Sequence, residues 1–128
     1  MAKKFLLSCL AFVCIFCGIS YHASAEQTSF SIKSNSNYLA KSSANIKLDY
    51  NKMAYVDWTS SNYKSHNEWF QVVNSNSEIR SESVLFAYCG DGTIDEYDSV
   101  TYGYYYYLRA RREHIINPTT TVKGNWES

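Results

Sequence analysis

The chain has 128 residues, no formal net charge and 16% aromatic side chains. That length suits one domain with a single modest core. The charge balance removes the electrostatic drive toward nucleic acid or an anionic membrane as a dominant partner.

In chain order, Lys3 and Lys4 precede an uncharged apolar run from Phe5 to Ile19, then an Ala23-x-Ala25 pattern ahead of Glu26. This reads as a secretory signal peptide over residues 1–25, cleaved after Ala25. The run of 15 residues is shorter than the roughly 20 that a spanning helix needs, so no membrane span is expected after cleavage. Residues 26–128 then form one secreted, extracellular domain. Cys9, Cys14 and Cys17 leave with the leader, so Cys89 stays alone and no internal disulfide forms. Small secreted domains usually lean on such staples; this one is expected to rely on its core, with Cys89 as a small buried thiol. Lys3 and Lys4 also leave, and ten basic residues then face twelve acidic ones. The eleven tyrosines that remain after Tyr21 is removed favour strands.

"TSFSIK" alternates Phe30 and Ile32 with polar residues and predicts a first strand, followed by a Ser/Asn-rich loop. "NIKLDY" alternates Ile46, Leu48 and Tyr50 with Lys47 and Asp49; "MAYVDW" presents Ala54, Val56 and Trp58. Two strands joined by a tight turn at Asn51-Lys52 are expected. "EWFQVV" predicts a short strand centred on Phe70, and "VLFAYC" a strand buried on both faces or in the middle of a sheet. "CGDGTIDEYD" reads as a hairpin loop, its Asp-Gly supplying a positive φ. From Ser99 to Arg111 a long strand should place Val100, Tyr102, Tyr104, Tyr106, Leu108 and Ala110 on one face. Its other face then carries Tyr105, Tyr107, Arg109 and Arg111. After "EHIINP", where Pro118 closes a turn, "TTTVKGNW" supplies a last strand. No helix of ordinary length can be placed after the leader. About seven short strands point to an all-β fold, a single antiparallel β-sandwich or partly closed barrel.

The Tyr-rich strand running into Leu-x-Ala, here Tyr106, Leu108 and Ala110, and the closing Val-x-Gly-x-Trp, here Val122, Gly124 and Trp126, resemble small secreted proteins of Gram-positive bacteria that form a domain-of-unknown-function family. The resemblance covers most of residues 28–126 and implies secretion and a β fold, and it brings no established activity. In size and aromatic content the chain is also similar to bacteriocins of the lactococcin 972 type.

Chemistry is hard to place. With Gly92 at the sixth position of an EF-hand loop, Asp91, Thr93, Asp95 and Asp98 fall on ligand positions, but Ala87 and Cys89 occupy the first and third. Two ligands are therefore missing, and strands flank the segment in place of helices. His66, His114 and Cys89 show no ligand spacing, and both histidines read as surface residues; no metal and no cofactor are expected. Nothing beside Cys89 signals a lowered thiol pKa, so no catalytic residue is assigned. The remaining feature is the outward stripe of Tyr105, Tyr107, Arg109 and Arg111, a composition that binding surfaces favour. The expected function is non-enzymatic binding of an extracellular protein or a cell-wall component. The alternatives are a secreted bacteriocin-like toxin and a small extracellular enzyme using Cys89.

Overall fold

A computed structural model of the chain describes residues 27–38, 40–114 and 119–128. The leader with Ala23 and Ala25, and the turn assigned to Pro118, lie outside these residues. The described residues form eight strands: β1 (Thr28–Ser34), β2 (Asn45–Ile46), β3 (Met53–Ser61), β4 (Glu68–Val73), β5 (Val84–Phe86), β6 (Asp91–Asp95), β7 (Tyr105–Arg112) and β8 (Thr120–Glu127). They make two four-stranded sheets, β1-β8-β3-β6 and β2-β7-β4-β5. Every pairing between them is antiparallel. The protein is a β-sandwich.

The period-two alternation explains the inner faces. Phe30 and Ile32 of β1, Ala54, Val56 and Trp58 of β3, Ile94 of β6, and Val122 and Trp126 of β8 are buried. Against them pack Phe70 and Val72 of β4, Phe86 of β5, and Tyr106, Leu108 and Ala110 of β7. Phe70 sits at the centre, edge-to-face with Phe30 and Trp58 at 5.8 Å and with Phe86 at 5.2 Å. Ring pairs of this geometry add to the area they bury. Gly124 is required by close approach. A Cβ there would lie 1.9 Å from the Asp57 carbonyl oxygen and 2.9 Å from the Phe30 ring, beside the register shift between Trp58 and Ser60.

Only β4 and β5, among the described strands, are neighbours both in sequence and in one sheet. The other successive strands alternate between sheets, and this corrects three expectations. The expected hairpin of "NIKLDY" with "MAYVDW" does not form: β2 ends at Ile46 and pairs with β7. Its phase is also inverted, since Asn45 and Lys47 are buried while Tyr50 is exposed, because the Lys47 ammonium finds carboxylates inside.

"VLFAYC" is not a doubly buried strand. It gives a three-residue edge strand whose Leu85 is exposed. The chain then turns at Ala87–Gly90, where Gly90 N donates to Ala87 O at 2.9 Å, and crosses to the other sheet. Cys89 occupies the third position of that turn with φ 51°; it is half-buried and packs on the core edge rather than ending a strand.

"DGTID" is β6 rather than a hairpin loop. Asp91, Thr93 and Asp95 face out while Ile94 is buried, and Gly92 has no positive φ.

The long Tyr strand starts late. Residues 101–104 form a turn in which Tyr104 N donates to Thr101 O at 3.3 Å and Gly103 adopts φ 86°, the third position of a type II turn, where glycine costs least. Tyr102 and Tyr104 are consequently exposed instead of inward. Regular alternation begins at Tyr106.

Candidate functional site

The outer face of β7 carries Tyr105, Tyr107, Arg109 and Arg111, as the alternation predicts. The segment before β2 folds back over three of them. Tyr38 lies 4.1 Å from the Arg109 guanidinium and 5.7 Å from that of Arg111, and the Lys41 ammonium sits 4.6 Å from the Tyr107 ring. Arg109 also donates through Nε and Nη2 to Gln71 Oε1 at 3.0 and 2.6 Å, and Arg111 stacks 5.4 Å from Trp69. These are internal cation–π and hydrogen-bond contacts, and they leave Tyr107, Arg109 and Arg111 half-buried. Tyr105, at the start of the strand, remains 59% exposed.

Around Tyr105 the structure gathers rings that the strand reading had turned inward. Tyr104 is 64% exposed, and Tyr50 stacks on Tyr102 with centroids 5.0 Å apart and planes 13° apart. The turn that carries them is tied to the body of the protein. Lys47 N donates to Tyr104 O at 2.9 Å, Gly103 N to Lys47 O at 2.8 Å, and Thr101 N to the Tyr106 hydroxyl at 2.8 Å. We call this set of rings the tyrosine rim. Beside it, a groove of about 280 Å³ runs between the β4–β5 hairpin and the 99–106 segment.

Beneath the rim lies an ionic cluster. Lys47, 1% exposed, places its ammonium 2.6 Å from Glu96 Oε1, 3.1 Å from Asp49 Oδ1 and 3.2 Å from Met53 O. The second Glu96 oxygen accepts the Ser128 hydroxyl at 2.6 Å, and Asn45 Oδ1 accepts Ser128 N at 2.9 Å. Both carboxylate oxygens of Glu96 are satisfied. Glu127, partly buried and facing Asp49, holds its proton to higher pH than an ordinary carboxyl.

The opposite end of the sandwich holds a second cluster, which corrects the surface assignment of His66. Its side chain is only 5% exposed, boxed by Trp58 at 5.3 Å, Tyr63 at 5.7 Å and Tyr88 at 5.9 Å. Nδ1 lies 2.7 Å from Lys64 O and Nε2 lies 3.0 Å from Glu68 Oε1. A carbonyl only accepts, so Nδ1 carries a proton, and a second proton bridges Nε2 and Glu68. Ser34 also donates to Oε1, at 2.5 Å. Burial pushes the Glu68 carboxyl above the usual range, against the lowering effects of Ser34, His66 and Arg112. Glu68 Oε2 has no hydrogen-bond partner among the described residues. Arg112, the cross-strand neighbour of Glu68, is buried too; it donates to Thr120 Oγ1 and lies 4.8 Å from the Tyr63 ring. His114, in contrast, is exposed.

With both ring nitrogens engaged, His66 has none left to take a proton from Cys89. Among the described residues no three His, Cys, Asp or Glu side chains converge as a metal site requires. Along β6, Asp91, Thr93 and Asp95 project from one outer face rather than around a cradle. Asp91 accepts the Tyr55 hydroxyl at 3.0 Å, which pushes the phenol up. No helix among the described residues is long and apolar enough to cross a membrane.

Comparison with protein-family models, curated proteins and solved structures returned no match.

Proposed function

We propose that the chain is a secreted, non-enzymatic binding protein that meets an extracellular protein or a cell-wall component through the tyrosine rim. The observation that carries this reading is a set of exposed rings: Tyr102 and Tyr104 on a hydrogen-bonded turn, Tyr50 stacked on Tyr102, and Tyr105 at the start of β7. Rigid rings bury area at low entropic cost, and a turn already fixed by three backbone–backbone bonds and one to the Tyr106 hydroxyl loses little freedom on binding. The leader at residues 1–25 supports an extracellular site of action. The engagement of both His66 nitrogens supports a non-enzymatic role.

Within the outer stripe, Tyr105 contributes contact area, while Tyr107, Arg109 and Arg111 brace the sheet beneath it. Retention of the purified protein on intact cells of the source organism tests the reading. Replacing Tyr104 and Tyr105 together by Ser should abolish retention with the melting temperature unchanged. Undiminished retention of that variant would refute it.

A further inference from the structure

The groove beside the rim has a chemistry of its own. It is lined by Tyr104, Tyr105 and Tyr106 together with Asn74, Ser75 and Arg80, and by Ser99 and Thr101. The Tyr106 hydroxyl and the Asn74 side chain are already occupied, the first by Thr101 N and the second by Asn76 N, Glu78 N and Glu78 Oε2. The hydroxyls of Tyr104, Tyr105, Ser75 and Ser99 are not: none has a hydrogen-bond partner among the described residues. Arg80 uses Nη1 on Ile79 O at 3.0 Å and Nη2 on Glu78 Oε2 at 2.9 Å, leaving its other guanidinium donors without a partner among the described residues. No carboxylate lines the groove, and its one cation is offset by Glu78.

Resting on the binding reading above, we infer that this groove takes a short stretch of a neutral oligosaccharide. Exposed ring faces match the C–H faces of a sugar, and unspent hydroxyl and guanidinium groups match its hydroxyls. The charge balance decides against an anionic polymer: a phosphate chain would be met by a single guanidinium already paired with a carboxylate, not by a cluster of cations. The volume, about 280 Å³, lies just below the roughly 300 Å³ at which pockets for drug-sized ligands begin. It suits one or two rings of a longer chain that continues over Tyr105.

The test is titration of the isotope-labelled protein with hexasaccharides of N-acetylglucosamine and of glucose, and with poly(glycerol phosphate), while the tyrosine ring resonances are followed. The Tyr104 and Tyr105 signals should move saturably with a neutral hexasaccharide and stay in place with the phosphate polymer. Tyr104→Ser with Tyr105→Ser should weaken the neutral interaction at least about tenfold, and Arg80→Gln should weaken it while leaving the melting temperature intact. Ring signals that respond to neither hexasaccharide, or that respond to poly(glycerol phosphate) in their place, would overturn the inference. Should cell retention still depend on Tyr104 and Tyr105 in that event, the sugar assignment falls and the binding function stands. Should retention be independent of both rings, the two fall together.

Discussion

The two ends of the sandwich solve the same problem differently. They lie roughly 20 Å apart along the seven residues of β1, and each encloses a buried glutamate. At the rim end, Glu96 has an ammonium on one oxygen and a hydroxyl on the other. At the far end, Glu68 shares a proton with His66, takes a hydroxyl from Ser34 on the same oxygen, and leaves its second oxygen without a hydrogen bond among the described residues. The first cluster also supports the tyrosine rim, because the backbone of Lys47 fastens the turn that displays Tyr102 and Tyr104. The second plugs the sandwich with an aromatic box and displays nothing comparable. The partner each glutamate meets, Lys47 at one end and His66 at the other, thus separates a satisfied ion pair from a shared proton.

The largest effect is expected where the satisfied pair is broken. Lys47→Met leaves Glu96 buried with only Ser128 beside it, and should cost about 3–5 kcal/mol by urea denaturation. Adding Glu96→Gln should recover a large part of that loss, since the stranded charge is then gone. A single variant as stable as the wild type would show that the pair is not held as described.

At the other end, His66→Leu removes one of the two partners of Glu68 Oε1 and the bond to Lys64, and should cost about 1–3 kcal/mol. The smaller figure relative to Lys47→Met is itself part of the comparison, because Glu68 can keep a proton of its own and escape as a neutral acid.

That escape predicts a pH dependence. A carboxyl whose pKa is raised in the folded protein binds a proton that the unfolded chain gives up near its ordinary value of 4.5. Its favourable contribution is therefore complete below that pH and is lost as pH rises through the raised value. Glu68→Gln cannot titrate. The stability of the wild type relative to this variant should therefore fall from pH 4.5 toward neutrality, by at most about 1.4 kcal/mol per pH unit for one proton. A relative stability that rises over that range would contradict the assignment of the proton.

The strands facing the core were legible in the sequence wherever alternation was strict. Phe30 with Ile32, the Ala54-Val56-Trp58 series and the Tyr106-Leu108-Ala110 series all lie as their spacing predicts, while "EWFQVV" forms the expected short strand but buries Gln71 and Val73 along with Phe70 and Val72. Three kinds of residue defeated that reasoning. Lys47 enters the interior because two carboxylates meet it there, and such a pairing joins residues 49 apart in sequence. His66 stands in a polar stretch that looks like surface, yet Trp58, Tyr63 and Tyr88 close over it from three separate segments.

Gly103 ended the tyrosine run by a turn, although Tyr102 and Tyr104 kept the right spacing to continue a strand. A glycine inside an alternating pattern was the one local signal available. The outer stripe of Tyr105, Tyr107, Arg109 and Arg111 was placed on the correct face, but spacing alone could not show that Tyr38 and Lys41 fold over part of it. Since "DGTID" alternates too, with Ile94 inward, its strand was readable. The Asp-Gly pair drew it toward a turn.

The smallest effect on stability is expected at the rim, where exposed rings can be replaced within about 0.5 kcal/mol. That is also where the account is most exposed to test. The decisive measurement pairs cell retention with thermal melting for the wild type and for Tyr104→Ser/Tyr105→Ser. Equal melting and lost retention are expected. Equal melting with retention undiminished would contradict the binding reading.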